Sequence, residues 1–335
     1  MNIGRKLRIA VLMGGVSNER SISMKSGREV VQALAQRGHE VLAVDVTARN
    51  IDALDAIRPD VAFVALHGEF GEDGEVQQLL ERKGIPYTGS GPQASRNGMD
   101  KLASKRAFIS HSVPTPDYFV LQSASQIRES TLWADRLGYP VVCKPSKGGS
   151  SIGVRICRGR RDLLMVLACA FEQDGDFGPE DRPALIVERY APGRELTVGM
   201  LDETPLSLIE IRTPRPFFDY AAKYDAGDTI YVLDVAMPRS LYLNLQEIGL
   251  RAYAALGCRH MGRTDLILGN DGRPYVLEVN TIPGCTPRSL LPLAAAAQGI
   301  DFPQLCERLV HMALRDAGLM HADEYAAEPK RRLSA

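Results

Sequence analysis

The sequence has almost no net charge and no long apolar run, and these two absences exclude several classes of protein. Its 40 lysines and arginines are balanced by 41 aspartates and glutamates, which leaves a formal net charge of −1. Such a balance gives no electrostatic reason to expect a nucleic-acid partner or an anionic membrane surface. The longest apolar runs, such as residues 290–297, are far too short to span a bilayer. We therefore expect neither nucleic acid nor membrane among the partners.

Cysteines in close pairs are also missing. The chain has six cysteines, none of them spaced as C-x-x-C, and most have apolar neighbours in the sequence. This pattern is typical of small buried side chains in a reducing compartment, and not of a disulfide framework or a zinc site. The basic start runs through a short apolar stretch into a glycine turn, which favours a first β-strand over a signal peptide. A cytoplasmic enzyme is the expectation.

The common nucleotide fingerprints are absent as well. No G-x-G-x-x-G follows the first strand, which argues against an NAD-dependent oxidoreductase, and no G-x-x-x-x-G-K-[ST] marks a P-loop. Residues 144–154 instead read KPSKGGSSIGV, with the lysine ahead of the glycines and strand-like alternation from Ile152 to Ile156. A glycine-serine hairpin of this kind can cover a triphosphate with backbone N–H groups, while Lys101 and Lys144 supply positive charge. Taken alone, the segment is equally compatible with a mobile surface hairpin.

The arrangement of apolar runs changes along the chain. Near-continuous apolar strands alternate with helical segments up to about Gly91, which predicts a parallel α/β sheet covered on both faces. From about Met99 the apolar runs are arranged as paired strands around turns. We therefore divide the chain into an N-terminal Rossmann-like domain (1–98), a central subdomain (99–191), a C-terminal subdomain (192–318) and a polar tail (319–335).

The strongest local geometry is a predicted hairpin over residues 262–284, GRTDLILGNDGRPYVLEVNTIPG. A two-residue loop at its Asp-Gly would set Asp265 opposite Glu278 and Arg263 opposite Asn280. A four-residue loop shifts the register but keeps these side chains on one face, because side chains alternate with period two. A three-residue loop would break the arrangement.

Two carboxylates that face each other across a strand pair repel one another. A divalent cation reverses the sign of that interaction, and Asp265, Glu278 and Asn280 offer the hard oxygen ligands that suit Mg²⁺ shared with phosphate. The alternative is a solvated edge hairpin with scattered charge. Both faces of the hairpin are partly apolar and the segment NTIPG follows at once, so we favour the metal site.

Three further segments are candidates for binding. Glu19 lies at the mouth of the first strand–helix turn and His67 follows the third strand, and open α/β sheets bind ligands beyond these strand ends. A lone histidine is nevertheless usually structural. Residues 188–195 follow an apolar strand and could offer backbone groups to adenine and a carboxylate to ribose, or could be a plain strand end. Residues 216–231, aromatic and charged, could be a lid or an ordinary surface loop.

Together these segments resemble the D-alanine–D-alanine ligase family of the ATP-grasp superfamily. The matching motifs occur in family order over roughly residues 8–315: GGVSNERSISMKSG, HGEFGEDGEVQ, IPYTGSG, MDKLASK, KPSKGGSSIGV, ERYAPGRELTV, FFDYAAKY, GRTDLIL and LEVNTIPGCTPRSLLP. The resemblance implies an N-terminal Rossmann-like parallel sheet followed by a two-subdomain ATP-grasp fold, α+β in that part, with ATP between two antiparallel sheets. It also implies two Mg²⁺ ions, for which Mn²⁺ is expected to substitute, and a homodimer.

The reaction implied by the resemblance joins two molecules of D-alanine for peptidoglycan synthesis. ATP phosphorylates the carboxylate of the first, and the amino group of the second then attacks the acyl phosphate, giving dipeptide, ADP and phosphate. Carried over motif by motif, the ATP-binding residues are Lys101, Lys144, Ser150, Ser151, Glu188, Arg189, Tyr190, Ala191, Glu195, Phe217 and Lys223, and the metal ligands are Asp265, Glu278 and Asn280.

The same resemblance assigns the substrate end. Glu19 would take the ammonium of the first D-alanine with His67 nearby, and Ser289 would contact the carboxylate of the second. Arg263 and the Gly284 N–H would form an oxyanion hole. The remaining roles concern the lid: Ser150 and Tyr224 would link it to Glu19, and Lys223 would reach the transferring phosphate.

Two departures from the family pattern bear on the second substrate. Phe218 stands where tyrosine is frequent, and Cys285 stands where methionine is usual. A ligase for D-lactate, D-serine or another D-amino acid is therefore the nearest alternative, although the Lys223-Tyr224 pair favours the dipeptide. A non-catalytic ATP-binding module is a second alternative, against which the intact set of charged residues speaks.

Overall fold

The computed structural model describes residues 6–171, 184–214 and 229–320. Its first part is a parallel sheet in the order β2-β1-β3, as the apolar runs predict. The elements are β1 (Arg8–Gly14), α1 (Arg20–Gln36), β2 (Glu40–Val46), α2 (Ala53–Ile57) and β3 (Val61–Val64). All but the first residue of β1 and all of β3 are buried, because helices and neighbouring segments cover both faces of a parallel sheet.

The last helix of the described chain belongs to the same core. After α3 (Glu75–Lys83), the helices α4 (Pro92–Met99) and α5 (Lys101–Ser110) lead away from the sheet. The C-terminal helix, Phe302–Asp316, returns and packs against α1 and β3, with Leu305 and Leu309 in one apolar cluster with Ile9 and Leu12. The first and last parts of the described chain are therefore held together by shared burial of apolar surface.

The second sheet is antiparallel, in the order β4-β7-β5-β6. Its strands are β4 (Tyr118–Leu121), β5 (Val141–Pro145), β6 (Arg155–Cys157) and β7 (Leu185–Arg189), and it packs against α6 (Ile127–Leu137) and α7 (Arg160–Phe171). A short 3₁₀ turn, Ala124–Gln126, precedes α6. The sheet has its own small core, in which Leu121, Leu163 and Leu167 are fully buried.

The third sheet is also antiparallel, in the order β10-β9-β8-β11-β12. Its elements are β8 (Gly193–Leu201), β9 (Thr204–Arg212), β10 (Ile230–Val232), α8 (Arg239–Ala255), β11 (Met261–Gly269) and β12 (Pro274–Asn280). Two helices follow, α9 (Leu290–Ala296) and α10, the C-terminal helix described above. One parallel and two antiparallel sheets in succession confirm the predicted α/β architecture. In the described ranges, no helix combines the length and the apolar character that crossing a bilayer requires.

The β11–β12 hairpin has the predicted register but not the predicted loop. Gly269 and Arg273 close a three-residue loop, in which Gly272 takes a φ of +77°, and Leu268 pairs with Pro274. We expected such a loop to break the arrangement, and that expectation is wrong. The register shifts by one residue beyond Leu266, where a β-bulge brings Asp265 opposite Glu278. The extra residue of the bulge offsets the odd loop length.

The glycine-serine segment is a hairpin with a later second strand than predicted. Val142 pairs with Ile156 and Cys143 with Arg155, so β6 starts at Arg155. The predicted alternation from Ile152 is wrong for residues 152–154, which lie in the turn. The cause is backbone geometry: Ser150, Ser151 and Gly153 all have φ between +52° and +76°, which curls the chain away from an extended path.

Candidate active site

A lysine–glutamate cluster (Lys105, Lys144 and Glu188) lies on the second sheet. Lys144 is on β5 and Glu188 on the neighbouring β7, and Lys144 Nζ donates to Glu188 Oε1 at 2.6 Å. Lys105 Nζ, which comes from α5, lies 2.8 Å from Glu188 Oε2. Burial alone raises the pKa of Glu188, but the two ammonium groups outweigh it and the pKa is lowered. One buried carboxylate is thus held ionised between two cations.

A carboxylate cluster (Arg263, Asp265, Glu278 and Asn280) lies on the third sheet, at the register described above. Arg263 donates to both oxygens of Asp265, at 2.9 and 2.8 Å, and Asn280 Nδ2 donates to Asp265 Oδ2 at 3.0 Å. Thr197, which pairs with Asp265 from β8, donates its hydroxyl to Oδ1 at 2.6 Å. Asp265 is therefore fixed in one orientation, and its two-residue spacing from Arg263 puts both side chains on one face.

Lys101 connects the glycine-serine hairpin to the carboxylate cluster. It is the first residue of α5, whose N-cap Asp100 accepts hydrogen bonds from Leu102 N and Ala103 N. Its ammonium donates to the carbonyl of Gly148 in the glycine-serine hairpin and lies 3.8 Å from Glu278 Oε2. A phosphate chain placed between the hairpin and Glu278 would therefore meet a positive charge at that point.

Glu19 and Ser150 meet two residues further along the glycine-serine hairpin. Ser150 donates its hydroxyl to Glu19 Oε1, which joins the first strand–helix turn to the second sheet. A Cβ on Gly68 would come within 2.7 Å of Glu19 Oε2, so a residue without a side chain is required there. Glu19 is the N-cap residue of α1, where the helix dipole favours a negative charge.

His67 is connected to the loop that carries Gly284. The imidazole is buried, and its Nε2 lies 3.2 Å from Ser26 Oγ on α1. The same hydroxyl accepts from the backbone N–H of Cys285 at 3.4 Å. Ser17 donates to the carbonyl of His67 at 2.7 Å, beside Glu19. His67 thus lies between Glu19 and Gly284, and hydrogen bonds fix its position.

The loop before α9 brings Gly284 and Ser289 together. A Cβ on Gly284 would lie 3.2 Å from Ser289 Oγ. The Ser289 hydroxyl accepts from Thr286 N at 3.1 Å and lies 2.9 Å from Thr286 Oγ1. Ser289 is also the N-cap residue of α9, and its side chain makes no cap bond. The predicted oxyanion donor and the predicted contact to the second carboxylate therefore share one short loop.

The predicted adenine and ribose contacts lie where β7 runs into β8. The backbone N–H groups of Arg189 and Tyr190 make hydrogen bonds within the protein, to Asp117 O at 2.9 Å and to Pro140 O at 3.2 Å. Glu195 lies two residues before Thr197 on β8 and therefore on the face that carries Asp265. The remaining predicted positions on this edge and in the hairpin are Ala191, at the start of the connection, and Ser151, whose φ is +59°.

Three predicted residues, Phe217, Lys223 and Tyr224, lie outside the described residues. Conversely, sequence reasoning missed Lys105, Thr197 and Ser26. Lys105 could have been found, because MDKLASK repeats a lysine four residues after Lys101 and therefore on the same face of the helix. Nothing in the local sequence marks Thr197 or Ser26, whose roles depend on neighbours far away in the chain.

The carboxylate cluster has the donor chemistry of a Mg²⁺ site. Across residues 6–171, 184–214 and 229–320, no group of three or more His, Cys, Asp and Glu side chains could hold a metal. Asn280 provides an amide, and a phosphate would supply the rest, which is the usual composition of a Mg²⁺ site.

Two family models match this chain. The model described as D-ala D-ala ligase N-terminus covers residues 48–90, and the model described as D-ala D-ala ligase C-terminus covers residues 108–311. The C-terminal model spans both antiparallel sheets and the whole carboxylate cluster. Of the lysine–glutamate cluster it includes Lys144 and Glu188. The C-terminal model alone covers more than half of the chain.

Similar proteins carry the same description over nearly their full length. The D-alanine--D-alanine ligase of Anaeromyxobacter sp. strain K is 44% identical over 305 residues, which is 90% of this chain and 96% of that protein. The corresponding ligase of Gloeobacter violaceus is 41% identical over 92% of this chain and all of its own length. The crystal structure of the Bacillus anthracis ligase complexed with ATP has a TM-score of 0.80 at 35% identity, covering 93% of this chain and 99% of that chain.

Proposed function

Because this chain belongs to the D-alanine–D-alanine ligase family, we propose that it joins two molecules of D-alanine at the expense of ATP. The product would be D-alanyl-D-alanine for peptidoglycan synthesis, with ADP and phosphate released. One observation carries the proposal: Lys101 contacts both the glycine-serine hairpin and Glu278. The nucleotide-covering hairpin and the carboxylate cluster therefore border one cleft, with Glu19 at its far end through Ser150.

The nucleotide end of the cleft provides charge and fixed orientation. Lys144 and Lys101 would bind the phosphate oxygens, because ammonium groups serve as point charges for phosphate. Glu188 through Glu195 would border the adenine and ribose, with Arg189 and Tyr190 placed by their backbone bonds. Phosphoryl transfer depends mainly on positioning and charge neutralisation, and the ordered lysines supply both.

The carboxylate cluster would hold two Mg²⁺ ions through Asp265, Glu278 and Asn280. Mg²⁺ held there would supply positive charge for the phosphate oxygens. Within the protein, Arg263 and Thr197 orient Asp265 at distances of 2.6 to 2.9 Å. Arg263 also lies beside Asn280 in the strand ladder, where its guanidinium can stabilise the oxyanion formed when the second D-alanine attacks.

The substrate end would bind the two D-alanines between the N-terminal sheet and the loop before α9. Glu19 would pair with the ammonium of the first, in a place where Gly68 allows close approach. The Gly284 N–H would donate to the developing oxyanion, and Ser289 would contact the carboxylate of the second. The glycine-serine hairpin and the lid would exclude water from the acyl phosphate. The hairpin would contribute Ser150, and the lid would contribute Phe217, Lys223 and Tyr224.

Three further assignments accompany this function: the domain bounds, the oligomeric state and the location in the cell. We propose domains at residues 1–98, 99–191 and 192–318, a division that the three sheets support, although α10 packs with the first of them. We expect a homodimer, for which light scattering coupled to size-exclusion chromatography is the test. We also expect the protein to act in the cytoplasm, where ATP and D-alanine are available together.

Phosphate release from ATP tests the function. D-alanine, L-alanine, D-serine and D-lactate are offered singly and in pairs, and phosphate is measured by a coupled assay. We expect D-alanine alone to stimulate release strongly and L-alanine not to. No stimulation by D-alanine would refute the proposal. Faster release with D-alanine plus D-lactate or D-serine than with D-alanine alone would favour the alternative second substrate, which the departure at Cys285 motivates.

A further inference from the structure

Lys105 is a buried lysine to which the proposed function assigns no role. Its side chain is 0% exposed, and it extends from α5 toward Glu188 on β7. Lysine is almost never fully buried unless it is paired. Its complete burial beside a carboxylate that borders the nucleotide site therefore calls for an explanation.

The ammonium of Lys105 makes two hydrogen bonds and one ion pair. Nζ lies 2.8 Å from Glu188 Oε2 and donates to Thr115 Oγ1 at 2.8 Å and to Pro116 O at 3.2 Å. It also lies 4.9 Å from the centroid of the Tyr118 ring. Because a lysine ammonium has three donors, these contacts fix Lys105 in one place.

Lys144 contacts the other oxygen of the same carboxylate from a different position. It reaches Glu188 Oε1 at 2.6 Å from β5, two residues before the glycine-serine hairpin begins at Ser146. Glu188 therefore has one cation that is anchored inside the fold and one that lies at the cleft. If only Lys144 were present, moving it toward a phosphate would leave a buried carboxylate without a counter-charge, which is strongly unfavourable.

We propose that Lys105 is a positioning residue for nucleotide binding, which keeps Glu188 ionised and oriented so that Lys144 can turn to the phosphates of ATP. This inference rests on the proposed function, because it places ATP beside Lys144 and Glu188. It predicts that Lys105 affects the affinity for ATP without touching the nucleotide. The D-alanine sites, at Glu19 and Ser289, are expected to be unaffected.

The charges around Lys105 make its effect dependent on pH. The pKa of Lys105 is lowered to about 8, mainly by burial. The charge of Lys144 also lowers this pKa, while the carboxylates of Glu188 and Asp117 raise it. Above this pH the ammonium loses its proton and with it the ionic contact to Glu188. The affinity for ATP is therefore expected to fall as the pH rises from 7 to 9.5.

The decisive variant is Lys105→Met, compared with the wild type and with Lys83→Met. Lys83 is paired with Asp55 at 2.6 Å on the outside of the N-terminal sheet and serves as the matched control. The dissociation constant of a non-hydrolysable ATP analogue with Mg²⁺ is measured by calorimetry, and KM for ATP, KM for D-alanine and Tm are measured beside it. We expect ATP binding to weaken about tenfold or more and KM for D-alanine to stay within about twofold.

Two more variants separate positioning from a general loss of structure. Combined with Glu188→Gln, the Lys105→Met change is expected to alter ATP affinity by less than about twofold, because its partner is already gone. Thr115→Val removes one acceptor of Lys105 and is expected to weaken ATP binding by about two- to fivefold. This milder change provides the test if Lys105→Met does not fold.

Several results would overturn the inference. One is wild-type ATP affinity in Lys105→Met, or in Thr115→Val if Lys105→Met does not fold. Another is an additive effect on ATP affinity in the double variant. A third is an equal change in ATP affinity, KM for ATP and KM for D-alanine. In the wild type, an ATP affinity that stays constant up to pH 9.5 would count against it too. The calorimetric measurement of ATP-analogue binding needs no turnover. A wild type that binds the analogue but shows no phosphate release with D-alanine would therefore refute the proposed function, while the role of Lys105 in ATP binding could still be tested.

Discussion

The lysine–glutamate cluster and the carboxylate cluster differ in how many cations accompany each buried carboxylate. In the first, one carboxylate has two cations, and the side chains of Lys105, Lys144 and Glu188 are at most 7% exposed. In the second, two carboxylates face each other, and Asp265 has a guanidinium in direct contact. Glu278 is 28% exposed and its lysine neighbour is 3.8 Å away.

This difference separates residues that hold the fold from residues that are available to a ligand. Asp265 serves both purposes, because its loss would remove the carboxylate that the buried Arg263 contacts at 2.9 and 2.8 Å. The ion pair of Glu278 with Lys101 is long and partly solvated, so this pair adds little to the stability of the fold. In the lysine–glutamate cluster, either cation can be removed while the carboxylate keeps the other. The following changes test this distinction, from the largest expected effect to the smallest.

Asp265→Asn is expected to have the largest effect. Activity should fall below detection because one of the two carboxylates of the proposed metal site is lost. The free energy of unfolding should also decrease by about 3 kcal/mol, because a buried guanidinium is left without its partner. ATP-dependent phosphate release and urea denaturation measure the two quantities. A variant with unchanged stability would contradict the dual role assigned to Asp265.

Glu278→Gln is expected to separate activity from stability. The change keeps the shape of the side chain and removes one charge that faces Asp265 across the strand pair. We expect turnover to fall about a hundredfold or more, with a change in unfolding free energy below about 1 kcal/mol. The same two assays apply. Near-normal turnover would refute the metal assignment.

Lys144→Met is expected to weaken ATP binding with little loss of stability. The cleft would lose a phosphate ligand, while Glu188 would keep its contact with Lys105 at 2.8 Å. KM for ATP should rise about tenfold to a hundredfold, and Tm should change by only a few degrees. A large drop in Tm would show that Lys105 alone does not satisfy the buried carboxylate.

The pH dependence of stability gives a smaller effect. Since the folded-state pKa of Glu188 is lowered below its usual value of 4.5, its ionised form contributes stability that is fully present above that pH. This contribution is lost as the pH falls through the folded-state pKa. Wild type and Glu188→Gln should therefore differ in unfolding free energy at pH 7, and the difference should shrink below about pH 4.5. A constant difference down to pH 3 would contradict the direction of the shift.

Much of the carboxylate cluster could be predicted from the sequence. Period-two alternation and a strong turn signal were enough to place Asp265 opposite Glu278, and the structure has that pair. The reason given for it was incomplete, because the three-residue loop and the β-bulge compensate each other. Local patterns do not reveal a bulge such as the one between β11 and β12, where the register shifts between Asp265 and Leu266.

The lysine–glutamate cluster was only partly predictable. Lys144 and Glu188 were singled out as separate ATP contacts, but their ion pair depends on strands that are 44 residues apart in the chain. The role of Lys105 depends on a third element, α5, and on the loop at Thr115. Packing of α10 against the N-terminal sheet was also not foreseen, because an amphipathic helix shows that it has a partner and not which partner it has.

The central claim is that the reaction proceeds through an acyl phosphate of the first D-alanine. It is tested most directly with D-alanine carrying ¹⁸O in its carboxylate. When the second amino group attacks the carbonyl carbon, the bridging oxygen leaves with the phosphate. Mass spectrometry of the released phosphate should therefore show one ¹⁸O transferred for each dipeptide formed. Unlabelled phosphate accompanying D-alanyl-D-alanine would contradict the account.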